Sequence, residues 1–396
     1  MEINSLPHRI LSISESKITR IADAARDDPS VIKLWIGEGD LTTPQFIRDA
    51  AVAAIDRGAT RYTYALGLPE LRAALSAYHR RHWNILVEAG RISVTVGGMN
   101  ALMQACQAIL EPQDEIVVPS PAWPNVFEAI RIVGGRPVPV LFDVDPSGHF
   151  SLPLEALSRA VTPRTRAILI NSPSNPTGWI MPKQDMIDLL GFVRERNLWL
   201  ISDEVYSHFV FEGGPAHSFL EFADPNDKLI VTNTFSKNWA MTGWRIGWII
   251  FPIGMSNVFD NLSQFNTTGV PTFVQHAAVT ALNEGDAFIA DFVSRCAKSR
   301  KIFCNILGGC EDLRIFPPDG TFYLLVAPKG CSNSVSVALE LLRYAKVGVA
   351  PGAAFGAGGD QFLRLCFAVA PRVAADAAER LVSFFGSSSL PTVGER

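Results

Sequence analysis

The fold is decided by the stretch Leu198-Trp199-Leu200-Ile201-Ser202-Asp203-Glu204-Val205-Tyr206, in which a short apolar run ends in polar residues. Short apolar runs of this kind are typical of strands that are buried on both faces of a parallel sheet. The stretch therefore predicts a buried strand with Asp203 at its carboxyl end. Because ligands of open parallel sheets bind outside the carboxyl ends of the strands, Asp203 and Tyr206 are candidate functional residues.

Two further apolar runs end in the same way. Ala167-Ile168-Leu169-Ile170-Asn171 leads into a turn-rich segment that contains Asn175, and Leu229-Ile230-Val231 leads into Asn233-Thr234-Phe235-Ser236-Lys237. A lone lysine in a loop is usually a solvated surface charge. A lysine among small hydroxylated residues at a strand end, with Arg245 shortly downstream, instead suits a covalent bond to a cofactor aldehyde beside a bound phosphate. The three strand ends together predict a pyridoxal phosphate (PLP) enzyme.

Helix-like and strand-like stretches alternate along most of the chain. Helices are predicted from Glu70 to Trp83 and from Asn100 to Leu110. Short apolar strands are predicted at 115–118, 137–140, 166–170, 198–202, 229–231 and 247–250. This alternation predicts an α/β fold.

The pattern changes after about residue 285, where a long helix is predicted from Ala287 to Leu307. Strands of a smaller sheet are predicted from Thr321 to Val326 and from Phe362 to Phe367. A chain of 396 residues exceeds one ordinary core. We therefore expect a large domain over 40–285, and a small domain over 286–396 that is joined by an amino-terminal arm over 1–39. The tail from Gly386 onward is expected to fray.

The composition indicates a soluble enzyme. The formal net charge is only -4, which argues against a nucleic-acid surface. No stretch approaches the roughly 18 consecutive apolar residues that a membrane span requires, and the amino terminus lacks the pattern of a signal peptide. The six cysteines form no C-x-x-C pair, which indicates free thiols in a reducing compartment and no metal site. We expect a cytoplasmic location.

The chain resembles the class I/II aminotransferase family, which are PLP enzymes of fold type I, along nearly its whole length. Seven motifs carry the resemblance in order: Gly37-Glu38-Gly39-Asp40, the run from Tyr62 to Arg72, Thr95-Val96-Gly97-Gly98, Ser174-Asn175-Pro176-Thr177-Gly178, Asp203-Glu204-Val205-Tyr206, Ser236-Lys237 with Arg245, and Phe362-Leu363-Arg364-Leu365. The resemblance implies a large domain with a mostly parallel seven-stranded sheet between helices, and a smaller α+β domain. It also implies a homodimer with shared active sites.

The chemistry of PLP assigns roles to four of these residues. Asp203 would hold the proton on the ring nitrogen, which makes the ring an electron sink. A simpler interpretation is that Asp203 caps the turn after its strand. Lys237 would carry the cofactor and then move the substrate proton. Tyr206 and Asn175 would bind the phenolic oxygen of the ring, although the segment around Asn175 is also a plain turn.

Other residues suit the phosphate and the ring face. Gly97 and Gly98 open a helix, and helix amino termini bind anions; Met99 follows them. The remaining candidates for the phosphate site are Thr234, Ser236 and Arg245. By resemblance, Tyr62 reaches the phosphate in the neighbouring subunit, and Trp123 stacks on the ring. Each of these two aromatic residues could instead be ordinary core or interface packing.

The substrate site centres on Arg364, which lies within an apolar strand where an unpaired charge is costly. A substrate α-carboxylate suits it, unless Arg364 points outward to solvent. By resemblance, Gly37 lets the amino-terminal segment close over the substrate. No distal cation is apparent, so a neutral, apolar or aromatic L-amino acid is expected to donate its amino group to a 2-oxo acid such as 2-oxoglutarate, in a ping-pong reaction.

Other functions remain open. Lys17, Arg20 or the other subunit could supply a distal charge, which would make the enzyme aspartate-specific. The same frame also serves carbon–sulfur β-lyases. A non-enzymatic alternative is an aminotransferase-like regulatory domain, although only a short arm precedes the PLP frame here.

Overall fold

The computed structural model describes residues 7–386. Its strands, numbered in chain order, are β1 Ile32–Lys33, β2 Ile92–Thr95, β3 Glu115–Ser120, β4 Arg136–Leu141, β5 Asp143–Val144, β6 Phe150–Ser151, β7 Thr165–Asn171, β8 Trp199–Asp203, β9 Leu229–Thr234, β10 Gly247–Ile250, β11 Leu313–Phe316, β12 Tyr323–Pro328, β13 Val347–Gly348, β14 Ala350–Pro351 and β15 Leu363–Cys366.

Helices alternate with these strands. They are α1 His8–Leu11, α2 Lys17–Asp23, α3 Gln45–Asp56, α4 Pro69–Trp83, α5 Gly97–Ile109, α6 Pro124–Ile132, α7 Leu154–Ala160, α8 Lys183–Glu195, α9 Phe235–Asn238, α10 Ser256–Asn266, α11 Thr272–Glu284, α12 Asp286–Leu307, α13 Ser334–Glu340 and α14 Pro371–Gly386. Gly386 ends the last helix, so the expected fraying does not begin there, and the rest of the predicted tail lies outside the described residues.

The central sheet has seven strands in the order β2-β10-β9-β8-β7-β3-β4. Only β10 is antiparallel to its neighbours, while the other pairs are parallel. This confirms the predicted α/β fold with a mostly parallel sheet. The apolar runs predicted six of the strands. They missed β2, because Ser93 and Thr95 alternate with Ile92 and Val94, yet all four residues are buried.

A second sheet has the antiparallel order β11-β12-β15-β14. The predicted strand from Thr321 starts later, at Tyr323, because Thr321 has a φ of +64°, which is outside the extended region. The amino-terminal arm joins this part of the molecule through the parallel pairing of β1 with β13. The division into domains at 39/40 and 285/286 stays a prediction.

The helix boundaries follow local rules. Helix α4 begins at Pro69 and ends before Asn84, which has a φ of +57°; proline suits a first turn and asparagine tolerates the left-handed conformation. Helix α5 begins at Gly97, three residues before the predicted start at Asn100, and so its amino terminus lies directly after β2.

No helix within residues 7–386 combines the length and the apolar character that a membrane crossing requires. The six cysteines are all free thiols in the structure.

A cluster of aromatic and histidine side chains is buried between α4 and the segment after β8. The His79 ring is 1% exposed, and neither of its ring nitrogens has a hydrogen-bond partner among residues 7–386. Its neighbours are the rings of Tyr78, Trp83 and Trp248. Burial lowers the pKa of His79 to about 3, because a charged imidazole would lose its hydration without gaining a partner.

This burial predicts acid sensitivity. A histidine whose pKa is lower in the folded state than in the unfolded state costs no stability above the unfolded pKa, near 6.5. As the pH falls from there toward 3, the unfolded state binds the proton more readily, and each pH unit costs about 1.4 kcal/mol. His79→Phe should therefore make the free energy of unfolding fall less steeply between about pH 6.5 and about pH 4.

Urea unfolding at several pH values measures this slope. His149→Phe, at a histidine whose side chain is half exposed, is the comparison variant. An equally steep decline in the His79→Phe variant would contradict the assignment.

Candidate active site

Three neighbouring strands of the central sheet end at one cavity. Asn175 lies in the turn after β7, Asp203 ends β8 and Lys237 lies in the single turn of α9 after β9. Because β7, β8 and β9 are mutually parallel, their carboxyl ends share one edge of the sheet. The cavity has a volume of about 470 Å³, and twelve of the thirteen predicted site residues line it: Gly37, Gly98, Met99, Trp123, Asn175, Asp203, Tyr206, Thr234, Ser236, Lys237, Arg245 and Arg364.

Asp203 is a buried carboxylate that faces this cavity. Burial raises its pKa to about 7, against the opposing effects of the Val205 backbone amide, the Thr232 hydroxyl and the charge of Lys237. The Thr232 hydroxyl lies 3.4 Å from the Asp203 Oδ1 atom. The hydrogen bond from the Val205 backbone amide shows that Asp203 also stabilises the turn after its strand. Its position at the cavity leaves room for a cationic partner, which would favour the charged carboxylate.

Lys237 is the amine of the site. Burial lowers its pKa to about 8, so an appreciable fraction of the amine is neutral, and therefore nucleophilic, near neutral pH. Its Nζ atom donates a hydrogen bond of 2.7 Å to the carbonyl oxygen of Gly37. The amino-terminal segment thus contacts the reactive nitrogen directly.

Hydrogen-bond donors from three segments converge on one end of the cavity. Gly98 opens α5, and Thr234 and Ser236 lie at the end of β9 with their hydroxyl oxygens 2.9 Å apart. The Arg245 guanidinium packs against the start of α5, since a Cβ atom on Gly97 would lie 2.5 Å from it. A helix amino terminus beside a guanidinium is a site for a phosphate-sized anion.

Two aromatic side chains complete the wall around the space for a planar group. Trp123 immediately precedes α6 and lines the cavity, and its indole stacks on no other ring within residues 7–386. Tyr206 is 3% exposed and its hydroxyl lies 2.7 Å from the hydroxyl of Tyr323. One face of the cavity is therefore an aromatic plate and one edge carries phenol hydroxyls.

Arg364 is 2% exposed, so it does not point outward to solvent. Its Nη1 atom donates to the Asn175 Oδ1 atom at 3.3 Å and its Nη2 atom donates to the Trp35 carbonyl oxygen. Its Nε atom has no partner in the described part of the chain. Nor does any carboxylate of residues 7–386 form a salt bridge with it. A buried guanidinium with spare donors suits an incoming carboxylate.

Tyr62 is the predicted residue that the structure does not bring to the cavity. It is 91% exposed and lies at a separate surface hollow with Thr267, Thr268 and Gly269. Its predicted reach into a neighbouring subunit stays a prediction. The two alternative sources of distal charge also lie elsewhere, because neither Lys17 nor Arg20 lines the cavity, and Lys17 donates to the carbonyl oxygen of Ala353.

The sequence interpretation missed Tyr323 and the carbonyl oxygen of Trp35. Tyr323 begins β12, and its hydroxyl is the one polar side-chain group of that strand. A lone phenol in an otherwise apolar strand is a usable signal, because buried tyrosine hydroxyls generally have partners. The contact with the Trp35 backbone carries no such signal, since any residue supplies a carbonyl oxygen.

A seven-stranded, mostly parallel sheet whose strand ends gather a lysine, a carboxylate and an arginine defines a transferase of fold type I. The family model described as aminotransferase class I and II matches residues 29–381. The chain belongs to this family and is an aminotransferase, and the family uses PLP.

Individual relatives cover almost the whole chain. The aspartate aminotransferase of Pyrococcus abyssi is 33% identical over 95% of this chain and 97% of its own length. The aromatic-amino-acid aminotransferase 2 of Thermococcus litoralis is 32% identical with the same coverage. Among solved structures, aspartate aminotransferase from Thermus thermophilus with maleate superposes with a TM-score of 0.88 at 33% identity, over 96% of this chain and 99% of that chain.

The close approach of Gly37 to Tyr323 allows a test of where the amino-terminal segment lies. A Cβ atom there would lie 2.0 Å from the Tyr323 hydroxyl oxygen, which real side chains do not tolerate. Gly37→Ala should therefore lower the free energy of unfolding of the cofactor-free protein by about 1–3 kcal/mol, as measured by urea unfolding. Gly214→Ala is the control, since a Cβ atom there meets nothing within 4 Å. Equal midpoints for Gly37→Ala and the wild type would show that the segment lies elsewhere in solution.

Proposed function

We propose that this aminotransferase binds PLP at Lys237 and moves the amino group of a neutral, apolar or aromatic L-amino acid to a 2-oxo acid. The observation that carries the proposal is Arg364, a buried arginine without a salt-bridge partner in the described chain, in the same cavity as Lys237 and Asp203. A buried cation without a counter-charge is costly, and the α-carboxylate of an amino acid would supply that charge.

The donors in the cavity fit the parts of PLP. The cluster of Gly98, Thr234, Ser236 and Arg245 suits the phosphate. Asp203 suits a protonated ring nitrogen, because a cationic partner would restore the carboxylate that burial disfavours. Trp123 would cover one ring face. The cavity therefore offers a matching group for the phosphate, for the ring nitrogen and for one ring face of PLP.

The bound cofactor supplies an electron-withdrawing ring that acidifies the substrate Cα–H bond. Lys237 would hold the cofactor through its Nζ atom, and the same atom would then accept the Cα proton as a general base and release it as a general acid. Arg364 holds the carboxylate and so orients the Cα–H bond toward Lys237. Tyr206 and Asn175 would help to hold the cofactor by donating to the phenolic oxygen of its ring.

The charges of the cavity favour a neutral side chain on the substrate. Among the described residues, its cationic lining consists of Lys237, Arg245 and Arg364, and the proposal gives each of them a partner already. Ile18 and Ile36 provide apolar surface at the mouth. We propose that the amino donor and the 2-oxo acid acceptor, such as 2-oxoglutarate, occupy this cavity in turn. That sequence is a ping-pong order, and the shared position of Lys237 and Arg364 in one cavity supports it.

Aspartate specificity is the second candidate, because several relatives are named aspartate aminotransferases. Aspartate specificity requires a cation from outside the described cavity lining, and another subunit would supply it.

We propose a homodimer on the surface that carries Tyr62 and Phe265, which are 91% and 85% exposed. Exposed aromatic side chains of this size are typical of interfaces. We also propose the 40–285 domain division and a cytoplasmic location.

A single-turnover assay tests the proposal. PLP-loaded protein is mixed with one amino acid at a time, without an acceptor, and pyridoxamine phosphate, pyruvate and sulfide are quantified. Leucine and phenylalanine should yield pyridoxamine phosphate faster than aspartate does. Arg364→Lys should slow all donors by about tenfold or more, because it loses a two-pronged contact worth roughly 1.5–3 kcal/mol per bond, and should leave their ranking unchanged.

Borohydride reduction of a separate sample provides the control, since it should attach the cofactor to the peptide with Lys237 in the wild type and leave Lys237→Ala unlabelled. The alternatives give distinct results. Fastest turnover with aspartate indicates an aspartate-specific enzyme, pyruvate with sulfide from cysteine indicates a β-lyase, and labelling without turnover of any donor indicates a regulatory domain.

A further inference from the structure

Tyr323 touches three separate groups of the site. Its hydroxyl lies 2.7 Å from the hydroxyl of Tyr206. Its ring face receives the Arg364 guanidinium, whose central carbon lies 4.3 Å from the ring centroid. The backbone of Gly37 covers the hydroxyl so closely that a Cβ atom on Gly37 would lie 2.0 Å from it. The side chain is 1% exposed, so almost none of its surface faces bulk solvent.

The hydroxyl pair can form its bond in only one direction at a time, because a single hydrogen lies between the two oxygens. The Tyr323 hydroxyl has no other hydrogen-bond partner within residues 7–386. If Tyr323 donates to Tyr206, the proton of Tyr206 is free for an acceptor in the cavity. If Tyr206 donates to Tyr323, no proton of Tyr206 is left for the cavity. The first arrangement satisfies both hydroxyls when a ligand oxygen is present, and the second satisfies only one.

Burial raises the pKa of both phenols, so both keep their protons and act as donors across the neutral range. Accepting a hydrogen bond also makes a hydroxyl a stronger donor, since chains of hydrogen bonds polarise one another. Tyr323 therefore affects both the direction and the strength of the bond that Tyr206 donates.

We propose that Tyr323 is a positioning residue of the reaction, which donates its hydroxyl proton to Tyr206 and thereby directs the Tyr206 proton to the phenolic oxygen of the cofactor. The inference rests on the proposed function, because it needs PLP at Lys237. Tyr323 touches neither reacting atom in this account and acts through Tyr206.

The ring of Tyr323 has a second and separable effect. Together with Phe355, whose centroid lies 5.0 Å from the Arg364 central carbon, it holds the guanidinium between two aromatic faces. Tyr323→Phe removes the hydroxyl and keeps this support, whereas Tyr323→Leu removes both. The two variants therefore separate the effect on Tyr206 from the effect on Arg364.

The experiment is a pH titration of the visible absorbance of the PLP-loaded protein, which reports the proton on the Lys237 nitrogen. A hydrogen bond to the phenolic oxygen withdraws the negative charge that stabilises that proton, so the loss of the bond raises the titration midpoint. We expect Tyr206→Phe to raise it, and Tyr323→Phe to raise it in the same direction by less. In the double variant, Tyr323→Phe should add nothing to Tyr206→Phe, because its effect passes through the missing hydroxyl.

A binding measurement completes the test. Acetate, a carboxylate without an amine, probes Arg364. Its dissociation constant should stay within about twofold of the wild type in Tyr323→Phe and should rise by more than that in Tyr323→Leu. A Tyr323→Phe titration midpoint equal to that of the wild type would overturn the inference. So would a Tyr323→Phe shift that is as large in the Tyr206→Phe variant as in the wild type. A protein without any visible band from a linkage at Lys237 would overturn the proposed function as well, so the two failures are distinguishable.

Discussion

The burial of a carboxylate and an amine at neighbouring strand ends is the constraint on which the rest of the site depends. Parallel pairing of β8 with β9 places Asp203 and Lys237 at one edge of the sheet, and burial raises the pKa of Asp203 to about 7 and lowers that of Lys237 to about 8. Burial thus disfavours the charged form of each group, and a cationic partner in the cavity would restore the charge of Asp203. Such shifts are costly in a structural core but are what acid–base chemistry requires.

The amino-terminal segment at 34–40 connects this site to the second sheet. Arg364 donates to the carbonyl oxygen of Trp35 and Lys237 donates to that of Gly37. Arg295 forms a two-pronged salt bridge with Asp40. Arg364, which the proposal assigns to the substrate, and Lys237, which it assigns to the cofactor, therefore contact the same backbone segment.

Most of the fold follows from local pattern, and part of the site does not. The runs at 166–170, 198–202 and 229–231 are apolar enough to identify buried parallel strands, and the polar and turn residues after them mark the functional edge. Strand β2 was missed because its hydroxyl side chains resemble an exposed face. Arg364 was identified by the family resemblance together with the cost of a charge in an apolar strand. The partner of Tyr206 lies 117 residues away in sequence, a separation that no local pattern spans. Contacts through backbone carbonyl oxygens leave no trace in residue type.

The central claim is that Asp203 makes the bound ring an electron sink, and substitution of its charge tests this most directly. PLP-loaded Asp203→Asn is mixed with leucine, and the first turnover is followed by stopped-flow absorbance beside Glu204→Gln. Glu204 is the matched control, because it is an equally buried neighbour whose pKa is also raised to about 7, but its carboxylate bonds Ser202 and the Phe219 amide outside the cavity. The account predicts that Asp203→Asn retains the cofactor yet slows by about a hundredfold or more, while Glu204→Gln stays near the wild-type rate. A wild-type rate in Asp203→Asn would contradict it.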